Sequence, residues 1–174
     1  MNKKVAKIRA GLIILSGLIL FYGCTVNVSL SGASIPSYAK SFSVQYFQNQ
    51  SALAGPTLSQ TFTDALRDYV SSQSHLSLVP NGDLDFQGSI TGFSTAPVSV
   101  ASATPNQSSL TRLTITVEVT YTDKQDSKKG FTGSFSRYAD YPSASSLTSV
   151  QGDLITQINK QLVQDIFDKA FNNW

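Results

Sequence analysis

The sequence predicts an α+β two-layer sandwich, with two helices packed on one face of a mainly antiparallel sheet of four to five strands. Three observations lead there. In several runs, apolar residues alternate with Ser, Thr and Gln, the period of a half-buried strand. Two longer stretches carry an apolar stripe at helical spacing. Each strand therefore has one apolar face to bury, and laying both helices on that face is the economical layering.

In chain order, Phe42, Val44 and Tyr46 alternate with Ser43 and Gln45 and predict a first strand with those three side chains on its core face. Residues 48–56 read as a loop. From Thr57 the period lengthens: Leu58, Phe62, Ala65, Leu66, Tyr69 and Val70 share one stripe, Pro56 precedes a Thr57/Gln60 capping box, and the helix is expected to end near Ser72 to His75. Leu76, Leu78 and Val79 form a short strand, and Pro80-Asn81-Gly82-Asp83 is turn chemistry. Leu84, Phe86, Gly88 and Ile90 then alternate with Asp85, Gln87, Ser89 and Thr91 in a further strand.

Residues 94–109, rich in Ser, Ala, Thr and Pro, read as a long loop. The clearest strand follows, with Leu113, Ile115, Val117, Val119 and Tyr121 on one face and Arg112, Thr114, Thr116, Glu118, Thr120 and Thr122 on the other. A charged hairpin tip over 123–130 returns the chain into Phe131, Gly133 and Phe135, and residues 138–146 read as a connection. The last helix opens on a Thr148/Gln151 capping box. Its stripe runs through Leu154, Ile155, Ile158, Leu162, Val163, Ile166, Phe167, Ala170, Phe171 and Trp174 and reads as core against the sheet.

Ahead of the domain, Lys3, Lys4, Lys7 and Arg9 precede an apolar run from Leu12 to Tyr22 that closes on Gly23-Cys24. This is the layout of a secretory signal, and the run is shorter than the roughly 20 residues that span a bilayer. Cys24, the only cysteine, follows a small residue where a lipoprotein signal peptidase cuts, although Phe21 and Tyr22 stand where Leu and a small residue are usual. Two acyl chains on Cys24 would anchor the chain stably, each buried CH₂ contributing about 0.8 kcal/mol. The expected organisation is a signal peptide over 1–23, a lipid anchor and tether over 24–40, and a single domain over 41–174. Removing the four basic residues of the signal leaves nine basic against eleven acidic residues, a net charge of −2. The basic balance of the whole chain is thus no sign of nucleic-acid binding.

Catalytic patterns are missing from the sequence. The one histidine, His75, falls at a predicted helix end without a Gly-rich nucleophile turn, and one His with one Cys is too few for a metal site. Ser37-x-x-Lys40 lacks its companion motif, Asp64 and Asp68 lie four apart on a polar helix face, and no phosphate-binding glycine loop is present. Neither enzymatic activity nor a cofactor or metal is expected.

Several segments carry a resemblance. Gln45-Tyr46-Phe47-Gln48-Asn49, Pro56-Thr57-Leu58-Ser59-Gln60 leading into Phe62-Thr63-Asp64-Ala65-Leu66, Gly82 through Ile90, Arg112-Leu113-Thr114-Ile115 and Phe135 through Tyr141 together resemble the LptE family of lipopolysaccharide-assembly lipoproteins. The resemblance implies a lipid-anchored, periplasm-facing protein of the outer membrane that plugs the β-barrel translocon LptD, helps that barrel assemble and contacts lipopolysaccharide. A sheet face of short polar side chains is compatible with a water-filled barrel wall. For the anionic phosphates of lipid A, the candidate partners are Arg112 and Arg137 at strand ends, with Lys124, Lys128 and Lys129 at the hairpin tip. Two other readings remain: an adaptor of another outer-membrane complex, and a carrier of a small lipid, which would need an interior cavity.

Overall fold

The computed structural model describes residues 34–55, 57–98 and 109–172. The readings that concern the signal, Cys24, most of the tether, Pro56, the loop centre over 99–108 and Trp174 fall outside these residues. The elements are β1 (Ser41–Val44), β2 (Gln48–Asn49), α1 (Thr57–Gln73), β3 (Ser77–Leu78), β4 (Leu84–Val98), β5 (Leu110–Asp123), a 3₁₀ turn (Ser127–Lys129), β6 (Phe131–Pro142) and α2 (Leu147–Phe171). They form an open mixed sheet with both helices on one face, the expected class.

The long strands β4, β5 and β6 are antiparallel neighbours. The short ones join in parallel: β1 lies between β3 and β4, and β2 adds to β4 further along. Core residues of β4 and β5, among them Phe86, Ile90, Ile115 and Val117, are fully buried. They meet Leu58, Phe62, Leu66 and Val70 of α1 and Ile158, Leu162 and Ile166 of α2, also fully buried. Aromatic rings join the layers, with Phe171 of α2 6.2 Å from Phe86 and 6.0 Å from Tyr121, and Tyr69 of α1 5.5 Å from Phe167 of α2.

Five sequence expectations shift. Residues 48–56 are not all loop, since Gln48 and Asn49 pair with Ser89 and Ile90 as β2. The alternation through Tyr46 breaks because β1 ends at Val44; Tyr46 is 47% exposed and Phe47 takes the core position at 0%. Gly88 makes that possible, since a Cβ there would stand 2.7 Å from the Phe47 ring. β4 continues to Val98 and β6 to Pro142, so residues 94–98 and 138–142 are strand, in register as Val98↔Leu110↔Pro142. Pro97 fits because β4 has no described strand on its other side there, and an edge needs no N–H donor. Finally, each capping box lies inside its helix: Thr57 is already helical, and Ser146 rather than Thr148 is the N-cap of α2.

A second tight point is the passage from β3 to β4. Both run parallel to β1 on opposite sides of it, so residues 79–83 must cross β1. Gly82 runs over Phe42 so closely that a Cβ would fall 2.3 Å from the Phe42 carbonyl carbon. The Gly82 amide donates to Ser43 Oγ at 3.1 Å, and Ser43 is consequently 2% exposed on what would otherwise be the solvated face of β1. Asp83 completes the clamp: its Oδ2 accepts from the Lys40 amide (3.0 Å), the Ser41 amide (3.1 Å) and Ser41 Oγ (2.8 Å). These donors, the Lys40 amide foremost, hold the Asp83 carboxyl below its ordinary range.

Gly82→Ala is therefore expected to cost at least about 2 kcal/mol in chemical denaturation, since backbone rather than a flexible side chain must give way. Gly152→Ala, in an exposed turn of α2 with nothing within 4 Å of the new methyl, should instead gain about 0.5–1 kcal/mol. A lowered carboxylate pKa contributes stability that is complete above the unfolded value of about 3.9 and is lost as pH falls through the folded value. Thermal melts of Asp83→Asn should accordingly show a lower Tm than the parent at pH 7 and a narrowing gap below about pH 4.

Candidate functional site

The structure separates the five candidate cations into three places. On β5, even-numbered residues face away from the helices, and Arg112 there opposes Asp140 of β6. Its Nε and Nη2 donate to the two carboxylate oxygens at 2.8 and 2.9 Å, and its guanidinium lies 3.5 Å from the centroid of the Tyr138 ring. The charge-assisted bonds raise the Arg112 pKa and hold the Asp140 carboxyl below its ordinary range. Arg137 pairs with Ile115 and so faces the helices, where Nε and Nη2 donate to Asp165 of α2 at 2.5 and 2.6 Å. The two arginines thus lie on opposite faces of the sheet. Each bidentate pair uses one edge of the guanidinium and leaves Nη1 for another acceptor.

The lysines stand at the other end of the ribbon. Lys124 Nζ donates to Asn81 Oδ1 of the crossing loop, tying the hairpin tip to β1's clamp. Lys128 and Lys129 occupy the 3₁₀ turn between β5 and β6, about 35 Å along the strand from Arg112 at about 3.3 Å per residue. There they join Lys169 of α2 around a pocket of about 370 Å³ with Tyr121, Phe131 and Phe171 among its lining residues. Lys129 Nζ lies 5.7 Å from the Tyr38 ring centroid and Lys169 Nζ 6.0 Å from that of Phe131. Sequence reasoning missed Lys169. It was findable as the basic residue of the last turn of α2, where a cation complements the helix dipole.

Residues 34–40 pack onto the domain at this same end. The Ser34 amide donates to the Phe171 carbonyl at 2.7 Å, Ala39 is buried, and Tyr38 Oη donates to Asp123 Oδ2 at 2.5 Å. That bond pushes the Tyr38 pKa up to about 12. The carboxylate of Asp123 also accepts the amides of Gln125 and Asp126, which closes the hairpin tip.

Two further surfaces stand out. On the outer face of β5 and β6 two hydroxyl pairs bridge the strands, Thr116 with Ser136 at 3.1 Å and Thr120 with Thr132 at 3.0 Å, on either side of the exposed Glu118. Between the helices runs a groove of about 380 Å³ lined by Ala65, Tyr69, Val163 and Asn159, whose buried amide has no hydrogen-bond partner on either atom. No helix among the described residues is long and apolar enough to cross a membrane.

Among solved structures, a hypothetical protein from Chlamydia trachomatis has a similar fold, with a TM-score of 0.53 at 11% identity over 77% of this chain and 99% of that one. A Xanthomonas campestris protein of the DUF330 family gives a TM-score of 0.51 at 11% identity over 78% of this chain and 87% of its own. A minor lipoprotein from Acinetobacter baumannii gives 0.49 at 14% identity, over 75% and 91%. No curated protein sequence matches the chain. The family model for lipopolysaccharide assembly, LptE, matches residues 39–170. An open sheet carrying two helices on one face, joined to this match, defines the class: small lipoproteins of the outer membrane. Within it, the chain belongs to the LptE family.

Proposed function

We propose that this protein is a non-enzymatic, periplasm-facing lipoprotein, anchored in the outer membrane through acylated Cys24, that plugs an LptD-type β-barrel translocon, helps it assemble and supports lipopolysaccharide transport to the cell surface. The observation that carries the reading is the match to the lipopolysaccharide-assembly family across residues 39–170. The hydroxyl pairs on the outer sheet face support it, because short side chains already bonded to one another can lie against a polar barrel wall, with Glu118 the one charge between them. A filled core of aromatic and aliphatic side chains weighs against the lipid-carrier alternative.

Lipopolysaccharide contact falls in this reading to Arg112 and Arg137. Their free Nη1 edges can each take a phosphate oxygen of lipid A without breaking the pair to Asp140 or Asp165. Lys124, Lys128 and Lys129 lie too far from Arg112 for one phosphate to touch both groups.

Affinity purification of the tagged, membrane-extracted protein is expected to bring down a large outer-membrane barrel in stoichiometric amount, identified by mass spectrometry. Recovery of the protein alone, or with an unrelated envelope complex, overturns the plug. In the same purification, Arg112→Glu with Arg137→Glu should leave the barrel bound and reduce co-purified lipopolysaccharide severalfold; an unchanged amount removes the arginines from the reading.

A further inference from the structure

We infer that Lys128, Lys129 and Lys169 form a docking site for the phosphodiester headgroup of an anionic phospholipid in the membrane that holds the lipid anchor, and that this contact sets the domain's orientation on that membrane. The inference rests on the anchor at Cys24 proposed above and adds a second, noncovalent point of attachment.

Four observations carry it. The three ammonium groups stand at the exposed rim of one pocket of about 370 Å³, a size that takes a headgroup rather than an acyl chain. The carboxylates near them in the chain are already engaged: Asp123 with Tyr38 and two amides, Asp168 with Asn172 Nδ2 at 2.8 Å, and Asp126 with the Lys128 amide at 3.2 Å and Lys129 Nζ at 4.0 Å. The pocket's own lining carries three lysines and no carboxylate, and among the described residues only Lys129 of the three is ion-paired, to Asp126. Buried aromatic side chains, Tyr121 and Phe171, lie behind the lysines, giving the cation-over-aromatic layering that suits the boundary between water and headgroups.

The fourth observation is covalent. Residues 34–39, whose amide at Ser34 is bonded to Phe171, lie at this pocket, and Ser34 itself lines it. Ser34 lies ten residues after Cys24, and such a length spans at most about 35 Å fully extended. An anchored Cys24 therefore keeps this end within easy reach of the headgroups of its own leaflet, whereas bringing down the Arg112 end, about 35 Å away, would need the tether almost fully extended. Tethering makes a weak site effective, because the local concentration of headgroups replaces intrinsic affinity.

The test uses the purified, membrane-extracted protein reconstituted with two kinds of vesicle, phosphatidylcholine alone and phosphatidylcholine containing phosphatidylglycerol. Flotation reports anchoring, and amide hydrogen exchange over residues 127–131 and 167–171 reports docking. The protein should float with both vesicles, and exchange in these segments should slow severalfold only where phosphatidylglycerol is present. High salt, and the triple variant Lys128→Glu/Lys129→Glu/Lys169→Glu, should each abolish the difference while flotation persists. Salt acts on the unaltered protein, so a variant that fails to fold does not decide the matter. Flotation with both vesicles but equal exchange overturns the docking site alone. Flotation with neither overturns the anchor as well. Equal slowing by inorganic phosphate without anionic vesicles, or slowing by vesicles containing lipopolysaccharide and not by phosphatidylglycerol, assigns the lysines to a different ligand and also overturns the inference.

Discussion

The fold depends on one close passage, the crossing of residues 79–83 over β1. A four-residue strand lying between a two-residue strand and a long one has little hydrogen bonding of its own, and an isolated pair of such strands is marginal in water. What holds β1 is its sandwiching: Phe42 faces the core, and Gly82 lies across the other side of the strand. Asp83 then supplies one carboxylate oxygen to three donors at the start of β1. Because β1 is fixed, Phe47 can drop into the space above Gly88, where it meets Phe62 of α1 edge-on with ring centroids 5.0 Å apart. The position of the first helix is thus inherited from the crossing.

Much of the architecture was legible in the residues, and the parts that were not share a cause. β5 is unmistakable because from Arg112 to Thr122 one of its faces is wholly apolar and the other wholly polar, and both helices are clear because their stripes are long. Alternation fails wherever burial differs from one apolar and one polar face. The end of β4, from Ser94 to Val98, is largely exposed on both faces and so resembles a loop in composition. β1 is buried on both faces, so its serine reads as solvent-facing when it is covered by Gly82. The shift from Tyr46 to Phe47 could not be found by period at all, since it needs the missing side chain of Gly88 on a neighbouring strand.

The candidate cations teach the same lesson at the level of sites. Arg112 and Arg137 look alike in the sequence, each a lone cation in a strand of hydroxyls and apolar residues, yet register turns them to opposite faces and gives each its own aspartate. The lysines cluster only when α2 returns across the sheet, bringing Lys169 beside a turn some forty residues earlier in the chain. A purely local reading sees basic residues; the topology decides which of them act as a group. Charge held in a bidentate pair contributes orientation, while charge gathered at an exposed rim contributes attraction.

The parallel pairing of β1 also sets an order of events. β5 and β6 join across a turn of a few residues and can form early, whereas Ser41 meets Asp83 only after a loop of some forty residues has closed. A chain that emerges N-terminus first therefore cannot complete its first strand until its fourth has followed it. Until then the apolar stripe of α1 has no sheet to cover. The stretch from β1 through α1 must therefore wait with its apolar side chains uncovered, and it is this stretch that a holding factor would have to shield.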